Sequence, residues 1–133
     1  MQRFRRLFKN EAGQSIVEAA FVIPLFILIL CGILDFGWIF SNQLMINNSS
    51  REGARYAVVH ADDVDLKSLV TSRVLSTSGI MDTTNLTVDV QFVGSDDIKV
   101  TVTNKIKVLT PIAGVFVAGQ EIELESACVM RFE

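Results

Sequence analysis

The residues of this chain best suited to chemistry are Gly13 and Glu18, at the entry to a long apolar run that opens Gly13-Gln14-Ser15-Ile16-Val17-Glu18. A charged side chain inside a membrane helix costs roughly 2.5–3.5 kcal/mol at mid-bilayer and less near the interface. A backbone cut after Gly13 would leave a new α-amino group on Gln14, four residues before Glu18 and on the same helix face. That amine could neutralise Glu18 within one chain or across to a neighbour. Glycine before the cut gives a protease an extended, unhindered backbone. A plainer reading leaves Glu18 solvated in the inner headgroup layer, because charges near helix ends are cheap. The residues alone leave both readings open.

Other polar residues are weaker candidates. Asp35 lies near the outer end of the apolar run, as a solvated interfacial carboxylate or as an ion-pair partner for Arg51 or Arg55 of a neighbouring subunit. Gly53, with Ala54 and Ala57, offers a small-residue surface either for another helix or for packing within the chain. His60 is the only histidine and reads as a helix-end residue, because a metal site needs partner ligands. Asp62, Asp63 and Asp65 lack the spacing and glycine of a calcium loop. No Gly-x-Ser-x-Gly, phosphate loop or HExxH motif occurs. No enzyme activity, cofactor or metal is expected.

The elements that must position these residues begin with the apolar run. Ile16–Phe40 has an uncharged core from Ala19 to Leu34, and at 1.5 Å per residue it would span about 37 Å, enough to cross a bilayer with some tilt. Trp38 near its outer end suits the membrane–water interface. A cleaved secretory signal fits less well, since its apolar region would be shorter and would end in a small-x-small site. Pro24 frees the carbonyl of Ala20 and is tolerated in a membrane helix.

Charge sets the expected direction. The chain of 133 residues is 50% hydrophobic and has a net charge of −3. Arg3, Arg5, Arg6 and Lys9 face only Glu11 in residues 1–13, whereas the rest holds eight basic and fourteen acidic residues. A basic cluster directly before the span keeps the N-terminus cytoplasmic and sends the remainder across. The acidic remainder argues against nucleic-acid binding. Cys31 and Cys128 are too few for a disulfide framework and read as small buried hydrophobes.

Beyond the span, residues 41–60 continue the helix, with Phe40, Leu44, Ala54, Ala57 and Val58 roughly along one stripe, interrupted by Asn47 and Arg51. A second helix is expected over 63–75, capped by Asp62 or Asp63, with Leu66, Leu69, Val70 and Val74 at helical spacing. The period then becomes two. Leu86, Val88, Val90 and Phe92 alternate with polar residues, as do Ile98, Val100 and Val102 after the Gly94–Asp97 turn, and later Ile122, Leu124, Ser126, Cys128 and Met130. Strands are expected at about 85–93, 98–108 and 121–132. The apolar stretch 109–119 is either folded under the sheet or an exposed surface for membrane or a neighbour. The expected fold is therefore α+β: a leader at 1–13, a membrane helix at 14–40, and a head at 41–133 in which the extended helix and a short helix pack on a small three-stranded antiparallel sheet.

Several separated blocks agree with one family. Gly13-Gln14-Ser15-Ile16-Val17-Glu18-Ala19-Ala20, Ile23-Pro24-Leu25, Gly32-Ile33-Leu34-Asp35-Phe36-Gly37 and Ser50-Arg51-Glu52-Gly53-Ala54-Arg55-Tyr56 resemble, in order and spacing, TadE-like proteins. The resemblance covers about Gln14–Val58. Position 19 holds Ala where family members often have Phe, and position 14 holds Gln where many type IV pilins have Phe. The resemblance implies a pilin-like fold and a minor pseudopilin of a tight-adherence (Flp-type) pilus system. It implies cleavage at Gly13–Gln14 by a prepilin peptidase, with Glu18 registering one subunit on another. The implied partners are other pilin and pseudopilin subunits, the peptidase, the pilus assembly platform and membrane lipid. The implied place is the bacterial cytoplasmic (inner) membrane, single-pass, with the head extracytoplasmic and entry into the pilus possible after processing. The competing expectation is an uncleaved, membrane-anchored binding or adhesion module.

Overall fold

The computed structural model describes residues 11–79, 82–110 and 121–131. A single helix, α1, runs from Glu11 to Val59 over 49 residues, a length of about 73 Å at 1.5 Å per residue. It continues through Pro24. Every residue from Gly13 to Leu30 is exposed, including Ile16, Phe21, Val22, Leu25 and Phe26. Soluble proteins rarely expose apolar patches beyond a few hundred Å², so this surface belongs in lipid. Among the described residues, α1 is the one helix long and apolar enough to cross a membrane.

The outer half of α1 carries the head. A short helix, α2 (Leu66–Thr77), follows a turn at His60–Asp65, and three strands come next: β1 (Thr87–Val93), β2 (Asp97–Lys107) and β3 (Glu121–Arg131). The sheet has order β1-β2-β3, both pairs antiparallel, with Val90 opposite Val100 and Val100 opposite Cys128. Gly94 opens the three-residue β1–β2 turn at φ 76°, a backbone region that only glycine enters without steric cost. α1 packs on β2 and β3, while α2 fills the angle between α1 and β1. The architecture is the α+β arrangement that the change of period from 3.6 to two implies.

The core follows the alternation. Ile98, Val100, Val102, Asn104 and Ile106 of β2 are buried against Ile46, Ala54 and Ala57 of α1 and Leu66, Val70 and Val74 of α2. Gly53 is the closest point of approach. A Cβ there would stand 2.8 Å from Val74 Cγ2 and 3.3 Å from Val100 Cγ1, so helix, helix and sheet meet over a missing side chain.

Three sequence expectations change. The buried face of α1 is not the Phe40–Leu44 stripe: these two are 56% and 47% exposed. The buried face instead runs through Asp35, Asn42, Ile46, Ser49, Ser50, Gly53, Ala54 and Ala57. Small side chains fit where β3 approaches closely; Ser50 meets the Ser126 hydroxyl there, while the Ser49 hydroxyl is buried without a hydrogen-bond partner among the described residues. The second helix begins at Leu66, not near Asp63: Asp63 N–H donates to His60 carbonyl in a preceding turn, and Asp65 takes the N-cap position without a side-chain cap bond. Cys31 and Cys128 are free thiols and only half-buried, since Cys31 sits on the apolar half of α1 and Cys128 on an edge strand. The core of the apolar stretch 109–119 lies outside the described residues, apart from exposed Leu109 and half-buried Thr110.

Candidate functional site

Gly13, Gln14 and Glu18 all lie on the exposed apolar half of α1. Gly13 and Gln14 are the third and fourth described residues of α1, and glycine is about 1 kcal/mol less favourable than alanine in a helix interior. Among the described residues, no atom beyond its own helix lies within 4 Å of a Cβ built on Gly13. Glu18 is exposed one helical turn later, between Val17 and Ala19 and close to Phe21 and Val22. Among the described residues its carboxylate forms no ion pair.

At the other end of the span the structure answers a question the sequence left open. Asp35 is only 5% exposed. Its Oδ1 accepts the Thr110 backbone N–H at 3.0 Å, and its Oδ2 accepts the Thr110 hydroxyl. Asp35 is thus buried against the chain beyond β2 rather than solvated. The bond fixes the chain beyond β2 to α1 one turn before Trp38, so the head is tied down where the apolar run ends.

Two further contacts join β3 to the helix above this junction: Gln43 Nε2 donates to the Glu125 carbonyl at 3.2 Å, and the Ser50 and Ser126 hydroxyls lie 3.0 Å apart. Asn42 Nδ2 donates within α1, to the Trp38 carbonyl at 2.8 Å. Asn104, fully buried in the face that β2 turns to the helices, donates to the Asp82 carbonyl at 2.8 Å. Asp82 in turn accepts from the Thr84 hydroxyl and backbone N–H, which hold its carboxyl below the usual range. None of these polar residues shows the apolar signal that sequence patterning reads; only the helical spacing of Asn42, Ser49 and Gly53 could have revealed them.

The remaining candidates separate cleanly. Gly53 serves intramolecular packing under α2 and β2. Arg51 and Arg55 are exposed, and neither forms an ion pair among the described residues. Glu52 between them accepts from Arg73 of α2 at 2.6 Å, which lowers its pKa from the ordinary glutamate value. His60 donates Nδ1–H to the Tyr56 carbonyl at 3.0 Å and stacks on the Tyr56 ring at 4.1 Å between centroids, a helix-end role. Among the described residues no group of three His, Cys, Asp or Glu could hold a metal ion.

One long apolar helix, exposed over its first half and built into a small sheet over its second, defines a membrane-anchored α+β protein. Residues 13–55 match the family model described as TadE-like protein, so this segment is TadE-like. The match begins at Gly13 and ends at Arg55, covering the apolar half of α1, the Asp35 junction and the Gly53 crossing. It stops short of α2 and the sheet. No curated protein and no solved structure matches the chain.

Proposed function

We propose that this protein is a minor pseudopilin-like structural subunit that takes part in assembling a tight-adherence pilus and carries no catalytic site. The observation that carries the reading is the coincidence of the TadE-like segment with an α1 that leaves Gly13 and Glu18 unencumbered at its start. A prepilin peptidase would cut between Gly13 and Gln14 at the cytoplasmic face, where the basic residues before it hold the chain. The new amine on Gln14 then lies one turn from Glu18. In an assembled bundle it offsets the cost of a carboxylate in lipid, and it does so best when neighbouring helices are in register. The head remains outside the inner membrane, carried clear of it by the outer half of α1. Other pilin and pseudopilin subunits and the assembly platform are the partners of such a part.

Glu18→Ala tests the registration role. Membrane insertion should be unchanged, because the substitution only makes the span more apolar. Pilus yield in cells lacking the native copy should fall by tenfold or more. Full piliation with Glu18→Ala would remove the carboxylate from the mechanism. A chain that keeps its leader yet still anchors the head would favour the binding-module reading.

A further inference from the structure

Arg51 and Arg55 stand on the wrong side of α1 for the head. They lie roughly 130° and 170° round the helix from the middle of its buried face, and both are exposed. Lipid headgroups do not reach them. Arg51 is sixteen residues beyond Asp35, about 24 Å along the helix at 1.5 Å per residue. The screening length at physiological salt is about 8 Å. Two cations held on a rigid helix well clear of the bilayer therefore face protein or water.

The chain itself carries the complementary surface. β3 is an edge strand, and Glu121, Glu123 and Glu125 all point to its exposed face, away from α1. Glu123 has one loose pairing, to Lys105 at 3.7 Å with both side chains more than half exposed. Glu125 lies opposite Thr103 and has no ion pair among the described residues. The spacings agree. Arg51 and Arg55 are about 6 Å apart along α1, and Glu123 and Glu125 about 6.7 Å apart along β3. Both elements run away from the membrane, since β3 begins beside the end of β2 that leads to Thr110 and Asp35. Two parallel pairs form without reversing either chain.

We propose that a second copy of this chain docks its acidic β3 face on the Arg51–Arg55 face of α1, pairing Arg51 with Glu123 and Arg55 with Glu125. This rests on the reading of the protein as a subunit of an assembly. The two patches are different surfaces, so the contact is head-to-tail and leaves a free patch at each end, the kind of contact that builds open helical arrays or rings. The stagger follows from the chain's own geometry. Gln43 donates to the Glu125 carbonyl and Ser50 meets Ser126, so Glu125 stands level with the stretch of α1 between Gln43 and Ser50. Arg55 lies five to twelve residues further along α1, so the second copy sits about 8–18 Å further out along the helix axis. Exposed arginine–carboxylate pairs are individually weak. The contact therefore operates between copies already concentrated in a membrane or filament.

Disulfide trapping in native membranes tests the contact, using the full chain with Arg55→Cys and Glu125→Cys in a Cys31→Ala, Cys128→Ala background. Within one chain the two positions are too far apart to bridge, since a disulfide needs Cα atoms about 4.4–6.8 Å apart. The expected result is a ladder of dimers, trimers and higher species, at least tenfold stronger than with either cysteine alone. Absence of cross-links, or dimers equal to those of one single-cysteine variant, would overturn the proposal. Arg51→Glu with Arg55→Glu should lose the wild-type assembly by tenfold or more, and adding Glu123→Arg with Glu125→Arg should restore it. Unimpaired assembly after the first pair would also overturn it. The N-terminal residue, measured on the same samples, separates the two readings. A chain starting at Gln14 without a ladder sinks only the contact, whereas a ladder on an uncut chain sinks only the processing.

Discussion

Asp35 and Thr110, 75 residues apart in sequence, meet where the apolar run of α1 gives way to the head, the carboxylate accepting both the backbone N–H and the hydroxyl of Thr110. The pairing explains how a carboxyl group is accommodated at the end of a membrane helix: each of its oxygens accepts from a donor of its own chain.

Removing that carboxylate should loosen the head. Asp35→Ala is expected to cost about 1.5–3 kcal/mol, the range for a hydrogen bond to a charged group, read as a lowered midpoint in thermal unfolding of the full chain in detergent. Thr110→Val, which removes the hydroxyl but keeps the backbone donor, should cost less. A double variant should be less destabilised than the two singles added together, because both remove parts of one interaction. Additive losses would mean the residues act separately.

Gly53 fixes how closely α1 can approach α2. A methyl at this position would meet Val74 Cγ2 at 2.8 Å, and overpacking of this kind costs about 1–3 kcal/mol. Against that, alanine is better than glycine in a helix by about 1 kcal/mol. Gly53→Ala should therefore lie between neutral and about 2 kcal/mol destabilising, and Gly53→Val well below it. Val74→Ala should rescue Gly53→Ala by vacating the space, measured as recovery of the unfolding midpoint relative to Val74→Ala alone. No rescue would mean that the crossing distance is set elsewhere.

The Glu52–Arg73 contact gives acid sensitivity a definite sign. The hydrogen bond from Arg73 lowers the Glu52 pKa below its ordinary value, so the folded chain binds this proton less readily than the unfolded one. Its contribution is present above the unfolded glutamate pKa and is lost as pH falls through the lowered folded value. Both side chains are partly exposed, so the effect is small and weakened by salt. Glu52→Gln should unfold slightly more easily than wild type near neutral pH and match it in acid. A difference that grows on acidification would reverse the assignment.

Much of this architecture is legible in the sequence because it rests on periodicity. The uncharged stretch Ala19–Leu34 declares a span, and the alternation of Val88 and Val90, then Ile98, Val100 and Val102, declares strands. The polar joints are not legible, for a physical reason. Asp35 carries no local sign that it is buried, because its donors come from a residue 75 positions away. Asn42, Ser49 and Ser50 read as solvent-facing, yet they lie on the buried face of α1, where Ser50 meets Ser126 of β3 and Asn42 donates back to the Trp38 carbonyl of its own helix. Gly53 could have served another helix as readily as its own fold; only the distance to Val74 decides it. At the start of α1 the position differs. Gly13 and Glu18 stand out by type and spacing, but their partners would belong to other molecules.

The proposed role turns on the new N-terminus beside Glu18, so the most direct measurement is the intact mass of the protein recovered from membranes of pilus-producing cells. A chain beginning at Gln14 is the expected result, with Gly13→Leu holding it in the longer, uncut form and reducing pilus yield. A chain that keeps the residues before Gln14 while pili form normally would contradict it.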